Sequence, residues 1–136
     1  MKFEDIQRVN ETIMTIDVKG KQYAEVNQRI KAFRMLYPEG FITTNIEKLE
    51  DGMCVIKAEV GYTTVNSKED WTDVEKIILG TGIAYEKENS TFINKTSYIE
   101  NCETSAVGRA LAMCGIGIDT SVASAEEVQN AIANQV

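Results

Sequence analysis

The side chains most able to do chemistry in this chain are clustered lysines and arginines. Five of its fourteen basic residues lie in one short segment whose only acid is Glu25. The five are Lys19, Lys21, Arg29, Lys31 and Arg34. Such side chains neutralise phosphates, and their clustering is the usual footprint of a nucleic-acid backbone contact. A solvated helix face carries the same charges, so both interpretations stay open.

Other reactive groups are few. The 136 residues include no histidine, which excludes Ser-His-Asp and Cys-His hydrolysis and removes the commonest general base. The three cysteines, Cys54, Cys102 and Cys114, are widely spaced among apolar neighbours, which is typical of buried reduced thiols. No two of them are close enough in sequence to match the usual zinc ligand sets. We therefore expect no catalytic residue, metal or cofactor, with a small carboxylate enzyme as the alternative.

The charge balance of the whole chain is acidic, with a formal net charge of −7. This favours a second hypothesis, in which an acidic surface mimics DNA and occupies a nuclease or a defence protein. No apolar run approaches the ~20 residues of a membrane span, and the first residues lack a secretory signal pattern. We expect a protein of the bacterial cytoplasm that has no membrane partner.

The elements that must position these residues follow from hydrophobic periodicity and turn signals. A period near 3.6 predicts helices, and a period of two with Asp51-Gly52 as a turn predicts strands. The helices are Glu4–Met14, Tyr23–Tyr37, Lys95–Cys114 and Ser124–Ala133, and the strands are Phe41–Leu49, Met53–Tyr62 and Val74–Tyr85. The pattern predicts one α+β domain over residues 1–136: a three-stranded antiparallel β-meander with helices before and after it, packed on one face.

Small residues are unusually frequent in the long third helix. Ser105 and Gly108 belong to this set, which indicates a contact with another protomer, a DNA-facing surface or tight packing of helix on sheet. Gly80 and Gly82 in the last strand indicate a bulge or the close approach of another chain. Tyr62 and Trp71 are candidates for stacking on bases, with packing at the sheet edge as the alternative.

The segment Ser97–Leu111 resembles phage and prophage recombination proteins of the single-strand annealing type. These include the essential recombination function (ERF) group of the wider eukaryotic annealing-protein superfamily. Ile78–Glu86 and Arg29–Arg34 support the resemblance, which extends from Lys21 to Val122. It divides the domain into an N-terminal helix and turn (1–20), an annealing-protein-like core (21–118) and a C-terminal helix (119–136).

The resemblance implies a homo-oligomeric ring or filament that binds single-stranded DNA, anneals complementary strands and meets host or phage recombination proteins. It implies DNA contacts for Lys95 and Arg109, while the charge pattern adds Lys57, Lys21, Lys31 and Arg34. Ser105, Gly108, Gly80 and Gly82 are the candidate protomer contacts. Annealing makes and breaks no covalent bond, which agrees with a chain that is not an enzyme.

Overall fold

Four helices, a short hairpin and a three-stranded sheet make up the computed structural model, which describes residues 1–90 and 94–134. The elements are α1 (Phe3–Asn10), β1 (Thr15–Val18), β2 (Lys21–Ala24), α2 (Val26–Leu36), β3 (Phe41–Glu50), β4 (Met53–Val65), β5 (Val74–Lys87), α3 (Asn94–Met113) and α4 (Ala125–Ala133). The larger sheet has the order β3-β4-β5 and is antiparallel throughout. The predicted α+β class and meander are confirmed.

The β3–β4 connection is the predicted tight turn. Asp51 and Gly52 both have positive φ, at 53° and 71°, which is the type I′ geometry that matches the twist of two hairpin strands. Strands β4 and β5 extend past the first residue of β3 and form a two-stranded arm there. In this arm Tyr62–Val65 pairs with Val74–Ile77.

The core lies between α3 and one face of this sheet. Alternate residues of β4 (Cys54, Ile56, Ala58 and Val60) are buried with α3 residues in one hydrophobic cluster. The helix lies very close to β5, because a Cβ added at Gly82 would be 2.5 Å from the backbone oxygen of Ala106. The close approach indicated by the small residues is therefore made within one chain.

A short hairpin, β1–β2, replaces the predicted break between the first two helices. Lys19 and Gly20 have φ of 51° and 89°, and Thr15–Val18 pairs with Lys21–Ala24. Four-residue strands are too short for their period to be distinguished from irregular chain. Lys21 therefore begins a strand and does not share the helix face of Lys31 and Arg34.

Arg29 is a second residue of the basic cluster that does not lie on an exposed helix face, because its side chain is fully buried. Its guanidinium donates to the carbonyl oxygens of Gly108, Ser121 and Val122, each at 2.9 Å. Removal from water lowers the pKa of Arg29, while Glu127 and Glu126 act in the opposite direction. Arg29 ties α2 to α3 and to the segment before α4, so it is a structural cation.

Ser124 is the N-cap of α4, one residue before its first helical residue, and its Oγ accepts a hydrogen bond from the backbone N–H of Glu127 at 3.3 Å. None of the helices in the described ranges combines the length and apolarity needed to cross a membrane.

Candidate nucleic-acid interface

The six basic residues predicted to contact DNA are spread over four elements and do not form one patch. They are Lys21 on β2, Lys31 and Arg34 on α2, Lys57 on β4, and Lys95 and Arg109 on α3. Each location therefore has to be judged by its own exposure and neighbours.

Lys31 and Arg34 share the exposed face of α2, one turn apart, with Asn27 in line before them. Neither forms an ion pair with any residue in the described ranges. The Arg34 guanidinium donates to the carbonyl oxygen of Gly40 and lies 5.8 Å from the centre of the Phe33 ring. These contacts hold it at the end of α2, and its remaining N–H groups stay available to a phosphate.

Arg109 differs from Lys31 and Arg34 because it forms an ion pair within the chain. Its Nη1 lies 3.3 Å from Oε2 of Glu127 on α4, in a half-buried pair. Burial raises the pKa of Glu127, and the nearby Arg109 offsets part of this rise. The α4 carboxylate thus offsets the positive charge of Arg109, which makes this residue a poor phosphate contact.

Lys95 is exposed at the second position of α3. It precedes a kink in α3 at Ser97, where φ is −138° and ψ is 28°, and the part of α3 that meets α2 at Gly108 is several turns further along. The same end of the sheet carries Glu50, Asp51 and Glu88, since the backbone N–H of Glu88 donates to Gly52 at 2.7 Å. Lys95 therefore lies apart from Lys31 and Arg34, at an acidic end of the protein.

Lys57 points away from the helices, on the side of the sheet that we call the open face. The register of β3, β4 and β5 assigns to this face Thr43, Asn45, Lys48, Glu50, Met53, Val55, Lys57, Glu59, Lys76, Thr81, Ile83, Tyr85 and Lys87. Ile83 and Tyr85 are 58% and 54% exposed there, so no helix covers them. Glu47 belongs to this face too, because it accepts a hydrogen bond from Asn45.

The charges of the open face differ from those of the whole chain. Lys48 pairs with Glu50 at 3.2 Å, and Lys76 pairs with Glu59 at 3.5 Å. Lys57 and Lys87 form no ion pair with any residue that the structure describes. With Glu47 counted, four lysines face three glutamates. This surface is slightly positive in a chain of net charge −7.

The two predicted stacking residues are placed very differently. The Tyr62 ring is stacked on Tyr37, with centroids 5.2 Å apart and an interplanar angle of 7°. Tyr62 is thus already engaged, as the packing alternative stated. Trp71 is 77% exposed in the turn between β4 and β5. Tyr85 was missed, although the outward alternation of Ile83, Tyr85 and Lys87 in β5 was a signal that could have found it.

The four candidate protomer contacts are buried within the chain. A Cβ at Gly80 would lie 2.3 Å from the backbone oxygen of Ala110, and one at Gly108 would lie 2.8 Å from the Val26 side chain. Gly82 and Ser105 are buried in the same α3–β5 layer. Gly80 and Gly82 admit α3 against β5, Gly108 admits Val26 of α2, and Ser105 is buried within the chain, so we leave all four out of the interface.

A polar cleft of about 370 Å³ separates β5 from α4. The buried carboxylate of Glu86 accepts hydrogen bonds there from the side-chain amides of Asn94 and Asn130, each at 2.7 Å. The amides thereby attach α3 and α4 to β5. Across the described ranges, no group of three His, Cys, Asp or Glu side chains is placed to hold a metal ion.

Residues 30–114 match a family model described as "Slr1353 N-terminal dsRNA-binding domain-like". The chain belongs to this family. The matched segment begins within α2, includes β3, β4 and β5, and ends with α3, so it is the α-β-β-β-α core described above. No curated protein matches the chain.

This membership overturns the resemblance to the annealing proteins of the ERF group, because the family match covers the same segment. The physical reason lies in α3. Its small residues face Gly80 and Gly82 at distances that admit no larger side chain. Any helix packed this closely on a strand needs such residues, so the pattern that suggested annealing proteins is a packing pattern.

Proposed function

We propose that this chain is a nucleic-acid-binding domain and that double-stranded RNA is its ligand. The description of its family supports the class of ligand. The observation that carries the proposal is the pair of exposed cations on α2, Lys31 and Arg34, which lie within the family core and have no carboxylate partner among the described residues.

Both cations would act on the phosphate backbone. Each neutralises a phosphate and releases condensed counterions, which makes binding sequence-independent and dependent on salt. Double-stranded RNA is recognised mainly by shape and by backbone contacts of this kind. Arg34 is the better positioned of the two, because the Gly40 carbonyl already orients its guanidinium.

The acidic end of the core limits the contact. Double-stranded RNA-binding domains span about 16 base pairs, which requires several regions of the surface to meet phosphates. Here the turn with Glu50 and Asp51, together with Glu88, would repel the backbone. We therefore expect a shorter footprint, centred on α2.

The proposal is one of binding, without catalysis. Phosphate neutralisation breaks no bond, so it needs no nucleophile, metal or cofactor. Strand annealing and recombination partners depended on the resemblance to the ERF group and are not part of the proposal. The acidic-inhibitor hypothesis becomes the leading one if the chain binds no nucleic acid.

Fluorescence anisotropy with a labelled 20-base-pair RNA duplex, over a series of salt concentrations, tests the proposal. The double variant K31Q/R34Q should bind more weakly and reduce the slope of log K against log salt by about 2, since each cation accounts for about one unit. The matched control is K2Q/K68Q, which removes two exposed charges elsewhere. Equal slopes for the two double variants would contradict a contact through α2.

A further inference from the structure

Tyr85 has an unusual set of neighbours on the open face. In the register, Tyr85 lies opposite Val55, Lys57 lies opposite Ile83, and Met53 lies opposite Lys87. Lys87 is thus two residues along the strand from Tyr85, and Lys57 is its diagonal neighbour. These relationships correspond to separations of about 7 Å along a strand and about 7–8 Å across a diagonal.

The result is an exposed aromatic ring with an unpaired cation on each side of it. Val55 and Ile83 form an apolar floor next to the ring. Two glutamates of this face are already paired, Glu59 with Lys76 and Glu50 with Lys48, and the acidic residues Asp51 and Glu88 lie beyond Lys87 at the end of the sheet. A ring, flanking lysines and an apolar floor are the parts from which surfaces that bind single-stranded nucleic acid are built.

We propose that the open face binds single-stranded nucleic acid, with a base stacked on Tyr85 and phosphates on either side of that base held by Lys57 and Lys87. This goes beyond the duplex contact on α2, and it rests on the proposed nucleic-acid binding only for the class of ligand. The two sites lie on opposite sides of the sheet.

The geometry selects a single strand over a duplex. A base can lie on the Tyr85 ring only if one of its faces is free, and bases inside a duplex are already stacked on both sides. A three-stranded sheet also presents a broad surface that does not enter a groove. The residues around Tyr85 are mainly apolar or cationic, so stacking and charge should dominate and sequence preference should be small.

Charge also decides between nucleic acid and a second copy of the chain. Two open faces packed together would bring eight lysines against six glutamates in one layer of low dielectric, which leaves an excess of buried cations at a cost in desolvation. A polyanion supplies the missing negative charges, so the open face is complementary to phosphates.

The test is the affinity for a labelled 12-nucleotide single strand, as RNA and as DNA, together with the RNA duplex of the previous section. Tyr85→Ala should weaken single-strand binding about 5- to 150-fold, the range for loss of one stacked base. Tyr85→Phe keeps the ring and should retain most of the affinity. The double variant K57Q/K87Q should weaken binding and make it less sensitive to salt.

Phe3→Ala is the matched control, because it removes an exposed aromatic ring on α1, outside the open face, and should leave single-strand affinity unchanged. Circular dichroism should show the same fold for all variants, since every altered side chain is wholly or partly exposed. K31Q/R34Q should lose duplex affinity and keep single-strand affinity, which separates the two sites.

Unchanged single-strand affinity for Tyr85→Ala, with duplex binding intact, overturns this inference and leaves the proposed function standing. If the wild-type protein binds the single strand through Tyr85 but does not bind the duplex, the proposed function is wrong and this inference stands. If Tyr85→Ala instead converts a dimer to a monomer in sedimentation without altering single-strand affinity, the open face is a contact between copies and the inference is wrong.

Discussion

The guanidinium Nη1 of Arg29 and the carbonyl oxygen of Gly108 lie 2.9 Å apart and join α2 to α3 inside the protein. Two further carbonyl oxygens, of Gly117 and Ala123, lie 3.3 and 3.5 Å from Nη2 of the same side chain. One buried cation thus serves as the common donor for three parts of the chain. It leaves Lys31 and Arg34 as the cations that α2 presents to solvent.

Arg29→Met should be strongly destabilising. The variant leaves several buried carbonyl oxygens without their donor, and such losses cost about 3 kcal/mol or more in the free energy of unfolding. Urea denaturation measures this directly. Arg34→Met is the control and should cost less than about 1 kcal/mol, because Arg34 is exposed. Similar losses for both variants would show that Arg29 is not the structural donor described here.

Gly82→Ala should separate α3 from β5. The added Cβ would lie 2.5 Å from the backbone N of Ala110 and 2.5 Å from the backbone oxygen of Ala106, and backbone atoms cannot rotate away as a flexible side chain can. We expect a loss of about 1–3 kcal/mol, the usual cost of overpacking, seen as a lower midpoint in thermal unfolding. Thr81→Ala, at the exposed neighbouring position, should change the midpoint little; a tolerated Gly82→Ala would contradict the close packing.

Glu127 should make stability fall as pH rises through the weakly acidic range. Burial raises the pKa of its carboxyl above the ordinary value of 4.5. Between the two values the folded state binds more protons than the unfolded state, so the free energy of unfolding decreases with increasing pH in that window. Glu127→Gln removes this titration.

Urea denaturation of the wild type and Glu127→Gln between pH 4 and 7 checks the sign. The difference in stability should shift in favour of the variant as pH rises. Arg109→Gln provides a second comparison, because loss of the nearby cation raises the pKa of Glu127 further and extends the window upward. A difference between wild type and Glu127→Gln that is constant with pH would refute the prediction.

The cysteines should resist alkylation in the folded protein. Cys54 and Cys102 are fully buried. Burial is the main cause that raises the pKa of Cys102 to about 12, and it also raises the pKa of Cys114. Since the thiolate is the nucleophile, iodoacetamide at pH 8 should label the native protein slowly and all three thiols in denaturant. Cys114→Ser tests the two core thiols alone; rapid native labelling of this variant would disprove their burial.

Local signals in the sequence determined most of the architecture. The body of α2, the Asp51-Gly52 turn and the start of α4 beside Ser124 each depend on residues that are close along the chain, and each was predicted, although the predicted start of α2 at Tyr23 lies in β2. The period of two in β4 also agrees with the alternating burial of its side chains. These features could be read from the sequence because helix, strand and turn preferences act over a few residues.

Only the tertiary structure decided which of the charged and aromatic residues are available to a ligand. Arg29 is buried by carbonyl groups 79 to 94 positions away, and Arg109 is paired with Glu127 on another helix. Tyr62 is held by Tyr37, whereas Tyr85 is exposed on the open face. Periodicity groups residues on a face but does not say which face is covered or which charge finds a partner. Those outcomes depend on contacts between distant parts of the chain, which form only when the elements pack together.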